Sequence, residues 1–259
     1  IRDRGGSVIL NKAVIPHETL LNQAKEQYEA AEKAAKSDAL KSFKGFDQDA
    51  AIRQIKTYEL KLAMHRGQYA DAKTFVEGAL KDGETVEVIY NNDGGDNPLY
   101  SAIGPNSRDV QVSPSLEAAR TTDAEKKALP LAHASVDKKN PNRYNIYASG
   151  LTRKGSMIIS NDDDIHLIKA ELIVRGIMTG DAMTEVNKVI GKYDTASQLS
   201  TTPTLAQIAE LRRIFLAFRG ERTADIRRGL EQGSATTTWA SRKIKWLPIP
   251  EKELQSQGL

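Results

Sequence analysis

The chain has 259 residues, 39% hydrophobic and 27% charged, and its 37 basic and 34 acidic side chains leave a net charge of only +3. That length buries a real core, in one large domain or two small ones. So balanced a charge, with no basic stripe interleaved with aromatics, argues against a nucleic-acid surface, and the absence of cysteine excludes disulfides, thiolate nucleophiles and Cys-ligated zinc.

No apolar run approaches the roughly 18 residues of a membrane-spanning helix. The chain opens on Ile1-Arg2-Asp3-Arg4 and not on Met. The expectation is that the native N-terminus, with any targeting signal or lipid attachment site, is missing from it.

In chain order, residues 1–15 read as an irregular lead-in ending at Pro16. From 17 to 36, Leu20, Leu21, Ala24, Tyr28, Ala31 and Ala35 recur at three- and four-residue steps, which predicts an amphipathic helix. Residues 37–49 form a polar linker. A second helix is predicted over 50–65, marked by Ile52, Ile55, Tyr58 and Leu62, and a third over 70–80, marked by Ala72, Phe75, Val76 and Ala79. Gly67 lies in the short turn between them, where a glycine takes the left-handed C-cap conformation cheaply. The pair is a helical hairpin whose small-residue pattern resembles a tetratricopeptide unit.

Residues 85–90 alternate polar and apolar and predict a short strand, and 91–98 (NNDGGDNP) is a dense turn signal. The stretch 99–161 is long, polar and punctuated by Pro105, Pro114, Pro130 and Pro141. A loop of that length is functional or holds small elements of its own. Asp162, Asp163 and Asp164 introduce a helix predicted over 165–176, where carboxylates cap the N-terminus and oppose the dipole. A return helix is predicted over 182–190, with Gly180 in the part of Gly67, and a last long helix over 205–218. This divides the chain into an N-terminal helical part (1–90), a loop-rich insertion (91–160) and a C-terminal helical part (161–259), all within one domain.

Few motifs carry chemistry. The four histidines, His17, His65, His133 and His166, are scattered, and there is no HExxH, nucleophile elbow or P-loop. The run 91–97 has oxygen ligands and glycines that could suit calcium, but not the spacing of an EF-hand, and a plain turn explains it. Asp162 to Asp164 could hold a metal, although capping explains them with less. A paired-carboxylate glycosidase depends on spatial pairing, and no sequence feature favours one. Trp239 and Trp246 could stack on a sugar ring or anchor the C-terminal tail; 6% aromatics is lean for a dedicated glycan platform. Arg222, Asp225 and Arg228 are three apart, so on a helix Asp225 could bridge both arginines.

The run from Gly220 to Arg228 (GERTADIRR) resembles the C-terminal signature of the SusD/RagB family, Gly-x-Arg-x-x-Asp-Leu-x-Arg followed by a variable loop and Pro-Ile-Pro-x-x-Glu. Gly220, Arg222, Asp225, Ile226 and Arg228 match, as do Pro248, Ile249, Pro250 and Glu253. Upstream, Glu171, Gly180, Asp181, Ala182 and Asn187 resemble the family's helix pair, and 51–80 resembles its earlier tetratricopeptide-like unit. Phe215 and Arg219 stand where the family usually has glutamates, Ile190 where it has arginine, and no Trp follows the second signature arginine. These departures mark a divergent or N-terminally truncated member.

The resemblance implies a mainly α, SusD-like fold, with tetratricopeptide-like hairpins and long loop regions. It implies a non-enzymatic surface lipoprotein of the outer membrane that captures a nutrient, above all an oligosaccharide, for a SusC-like TonB-dependent transporter, with no cofactor, no metal and no nucleic acid. The ligand-binding candidates are Tyr90, Tyr100, Tyr144, Tyr147 and Trp239, because loops on a rigid scaffold concentrate binding residues. Gly220, Arg222, Asp225, Arg228, Pro248 and Pro250 are the structural signature. The alternative is a tetratricopeptide-like adaptor that binds protein segments on its concave face.

Overall fold

The computed structural model describes residues 8–10, 13–90, 95–104, 112–135 and 144–228. Among them there are eleven α-helices and six short strands, the strands paired two by two and antiparallel. Chain contacts divide the molecule into two compact units. One contains the described residues up to Ala79 and those from Ile226; the other is Leu80–Asp225.

The first unit begins with β1 (Val8–Leu10) and β2 (Ala13–Ile15), paired in register from Val8↔Ile15 to Leu10↔Ala13. This pairing replaces the irregular lead-in expected there; three-residue strands are too short for a period of two to register. Then follow α1 (His17–Ala35), a short α2 (Asp38–Lys41) inside the expected linker, α3 (Gln48–His65) and α4 (Tyr69–Val76). Asp47 caps α3 by accepting from the Ala50 N–H at 2.9 Å. Leu60, Ala63, Met64, Ala72 and Val76 are buried, so α3 and α4 close on each other as a hairpin. Gly67 sits at φ +69°, with its N–H on the Met64 carbonyl (3.0 Å) and that of Gln68 on Ala63 (2.9 Å). Those two bonds are the Schellman closure that only a left-handed residue permits.

The second unit contains β3 (Thr85–Val88), α5 (Pro98–Ile103), α6 (Pro114–Ala119), α7 (Asp123–Ala128), β4 (Leu131–Ser135), β5 (Tyr144–Ala148) and β6 (Met157–Asn161). It continues with α8 (Asp162–Val174), α9 (Ala182–Gly191) and α10 (Leu205–Phe215), and α11 (Glu221–Arg227) follows. β4 pairs with β5, and β3 reaches forward to pair with β6 through a bulge at Val86/Glu87. The stretch 99–161 therefore holds small elements of its own. Prolines conceal two of them: Pro98, just before the stretch, and Pro114 open helices at the first position, where a missing N–H loses nothing.

The core of this unit is built by α8, α9 and α10, through Leu167, Ala170, Val186, Val189, Ile208, Ile214 and Phe215, with Ala124 and Leu129 beside them. Helix α8 is buried on most of its circumference, from Asp162 to Leu172, as a central helix must be. It ends at Val174, two residues before the predicted end. Gly176, at φ +71°, makes the Schellman bonds, its N–H on Ile173 and that of Ile177 on Leu172, both at 2.9 Å. Gly180 is instead a point of close approach: a Cβ there would lie 2.9 Å from the Ile173 methyl. Gly176, not Gly180, plays the part of Gly67. Asp181 then caps α9 by accepting from Met183, and Asn187 pins the following loop with bonds to both the N–H (2.7 Å) and the carbonyl (2.9 Å) of Leu199.

Candidate functional site

Helix α10 stops at Phe215, three residues before the sequence predicts. Phe218 adopts φ +67°, a left-handed conformation that a bulky residue rarely takes. That turn lets the next side chain, Arg219, fold back onto the N-terminus of α8. Its guanidinium donates to Asp164 at 3.1 Å and to the side-chain oxygen of Asn161, and it stands 3.9 Å from Asp163. Lys192, from the end of α9, reaches Asp162 and Asp163, each at 2.7 Å.

The three aspartates, all under 5% exposed, are thus held by two cations and by a capping box between Asn161 and Asp164. Burial opposes the charge of Lys192, but its hydrogen bonds to Asp162 and Asp163 outweigh burial and raise its pKa. Burial likewise opposes the charge of Asp162, but the Gly83 N–H and Lys192 prevail and lower its pKa. Tyr193, half-buried and hydrogen-bonded to Asp163, is pushed up to about 12, by burial first. These carboxylates are committed to protein cations, and among the described residues no cluster could hold a metal ion.

The same turn walls a cavity of about 320 Å³. Its lining is predominantly apolar: Phe218, Ala217, Leu99, Leu151, Met157 and Ile158 face it, with Ser156 and Arg219 as polar members. Next in sequence to the lining residues Leu151 and Ser156, two chain segments are stitched together. Asn97, fully buried, donates its N–H to the Arg153 carbonyl (2.9 Å) and its amide to the Gly155 carbonyl (2.8 Å), while its side-chain oxygen caps α5 at the Leu99 N–H (2.9 Å). The turn so held, 152–155, closes with Gly155 N–H on Thr152 at 3.1 Å, and a Cβ on Gly155 would meet the Thr152 hydroxyl at 2.4 Å. Arg153 and Lys154 occupy its two central positions. Both pair with Asp96, at 2.7 and 3.1 Å. The hydrogen bond from Arg153, foremost, holds the Asp96 carboxyl below the usual range. Asp96 and Asn97 thereby lose the role of calcium ligands; residues 91–94 of that run lie outside the described residues.

The signature arginines and aspartate form a second constellation. Asp225 accepts from Arg212 Nε at 2.8 Å, and Arg212 lies 3.5 Å from Glu221. All three side chains are almost fully buried. Arg212, from α10, is the partner that sequence reasoning missed. Gly220, at φ +84°, makes the turn between the two helices. Arg222 and Arg228 are half-buried; Pro248 and Pro250 lie outside the described residues.

Of the five ligand-binding candidates, Tyr90 follows β3 and is half-buried, and Tyr100 sits in α5 next to Leu99 of the cavity lining. Tyr147 is half-buried in β5, beside Ala148 of the lining and opposite Ala132 of β4. Tyr144 is paired with Ser135 at the other end of that ladder, and Trp239 lies outside the described residues. None of the three described rings lines the cavity itself. The first unit has its own groove, about 350 Å³, between α1, α3 and α4. Its charges answer one another: Lys56 bridges Glu32 (2.6 Å) and Glu59 (2.8 Å) and lies 5.2 Å from the centre of the Phe75 ring.

No family model and no curated protein matches the chain. Among solved structures, it is similar to surface glycan-binding protein A from Bacteroides thetaiotaomicron in complex with laminarihexaose, with a TM-score of 0.63 and 17% identity, over 97% of this chain and 72% of that one. A second structure of that glycan-binding protein matches with the same score and identity, over 94% and 69%. At that identity the likeness speaks to architecture: the chain has the mainly helical, SusD-like fold that its C-terminal signature implied.

Proposed function

We propose that the chain is a SusD/RagB-type capture protein that binds an oligosaccharide at the bacterial outer surface without cleaving it. The observation that carries this reading is the shared architecture, along nearly the whole chain, with a surface glycan-binding protein solved in complex with laminarihexaose. The cavity beside Phe218 is the proposed seat of one sugar unit: it is concave, walled by apolar groups that suit a pyranose face, and has few polar members. Tyr100 and Tyr147, each the chain neighbour of a lining residue, are the flanking aromatics to test first. Tyr90, Tyr144 and Trp239 remain candidates for a longer glycan.

In this reading a SusC-like TonB-dependent transporter receives the glycan, and a lipid anchor outside this sequence holds the protein at the outer membrane. Buried ion pairs give the site a rigid support, because the turn at Phe218 is tied through Arg219 to the first turn of the central helix. Affinity electrophoresis of the full chain through gels containing single polysaccharides, with product analysis, tests the binding. Retardation by at least one glycan without release of shorter products is expected; cleavage, or no retardation across a broad panel, overturns the reading. A pull-down from native membranes tests the transporter: recovery of a large outer-membrane β-barrel is expected, and a soluble protein in its place would favour the adaptor.

A further inference from the structure

The glycan-capture reading leaves open what kind of sugar the cavity accepts, and the side chains that line it bear on that question. Among the described residues, Arg219 is the one ionisable member of the lining and Ser156 the one hydroxyl; the rest are apolar side chains and a glycine. Arg219 has its charge already placed. Its guanidinium donates to Asn161 and to Asp164 at 3.1 Å and stands 3.9 Å from Asp163, with its side chain 9% exposed. Asp163 and Asp164 are themselves buried, so an anion approaching Arg219 from the cavity meets their field as well as that of the cation. A carboxylate or sulfate in this lining would lose water without gaining a cation of its own, which is strongly unfavourable.

Ser156 is the opposite case. It is exposed, and its hydroxyl has no protein partner among the described residues. Its position is nevertheless fixed from both sides. The carbonyl of Gly155 accepts from the buried Asn97 amide at 2.8 Å, and Met157 is in register with Val88 of β3. Such a hydroxyl is ordered before a ligand arrives, and it can both donate to and accept from a sugar hydroxyl.

We propose that the cavity selects an uncharged pyranose, its apolar face against the lining and one of its hydroxyls on Ser156 Oγ, so that Ser156 is a specificity-determining residue of the site. The inference rests on the glycan-capture reading and narrows it to neutral sugars.

The test is calorimetric titration of the full chain with two matched pairs, dextran against dextran sulfate and galactan against polygalacturonate. At least one neutral glycan is expected to bind about tenfold or more tightly than its charged counterpart, with an affinity that salt leaves nearly unchanged. Ser156→Ala is expected to lose about fivefold in that affinity, as one neutral hydrogen bond is removed, with its melting temperature unchanged. Ser156→Thr, which keeps the hydroxyl, is expected to restore most of the loss. Ser156→Lys puts an uncommitted cation in the lining and is expected to gain about tenfold for the charged counterpart, by binding that weakens as salt rises. A charged glycan bound by the parent as tightly as its neutral counterpart overturns the inference and leaves the capture reading standing. So does undiminished affinity in Ser156→Ala, or the absence of any gain in Ser156→Lys. No binding to any glycan overturns both.

Discussion

Two arginines in this protein meet a carboxylate through Nε at nearly the same distance: Arg212 with Asp225 at 2.8 Å, and Arg153 with Asp96 at 2.7 Å. Their side-chain exposures are 1% and 68%, and this difference separates their roles. In the first pair both charges have left water, so each depends on the other and the bond locks α10 to α11. In the second, solvent screens the charges, the bond adds little to the fold, and most of the guanidinium stays in water. The distance alone would have ranked the two pairs equal; burial shows which one is structural.

The largest effect that would break the comparison is at the buried pair. Asp225→Ala takes from the buried Arg212 its 2.8 Å partner and is expected to destabilise by about 3–5 kcal/mol, read as a lower denaturant midpoint at unchanged slope. A loss below about 1 kcal/mol would mean that burial does not decide the role. Arg219→Ala is next, at about 2–4 kcal/mol, because Asp164 is fully buried and loses a cation while Lys192 still serves Asp162 and Asp163. Since Arg219 also lines the cavity, this variant is expected to weaken glycan retention as well.

An intermediate case is Glu185. It bonds His166 Nδ1 at 2.6 Å and Lys188 at 3.1 Å, while Asp82 faces the other ring nitrogen at 3.1 Å. The bond from His166 is the chief reason that the Glu185 carboxyl is lowered from 4.5 to about 2. A depressed carboxylate contributes stability that is fully present above about pH 4.5 and is lost as pH falls toward 2. Glu185→Gln is therefore expected to cost about 2 kcal/mol at neutral pH, and its difference from the parent should shrink as pH falls through that window. A difference independent of pH would assign the loss to packing. The smallest expected stability effect is that of Arg153→Ala, which should leave the melting temperature where it is.

The sequence conveyed these regions unequally. The hairpin of α3 and α4 was legible, because its apolar period runs over two full elements and Gly67 marks the turn. The acidic cap of α8 was legible as a cap, since three aspartates before an apolar period serve no local purpose more simply. The bond from Arg212 to Asp225 was not, because the two lie on different helices and only the fold brings them together. The short elements within 99–161 were concealed by prolines that start helices as readily as they end them. Phe218 gave no local sign of its left-handed turn, which brings Arg219 to the aspartates of α8. The cavity was therefore invisible, because its walls come from five separate stretches of chain. What the signature did convey was the architecture, in which Gly220 and Asp225 act as a clamp.

The central claim is that the cavity beside Phe218 seats a sugar. It is tested most directly by titrating the parent and Ala217→Trp with the glycan that retards the parent best. Ala217 is half-buried in the cavity wall, so an indole there fills the space while the buried core keeps its side chains. The account predicts that the parent binds and that Ala217→Trp loses at least tenfold in affinity with little change in melting temperature. Equal affinity in the two proteins would contradict it.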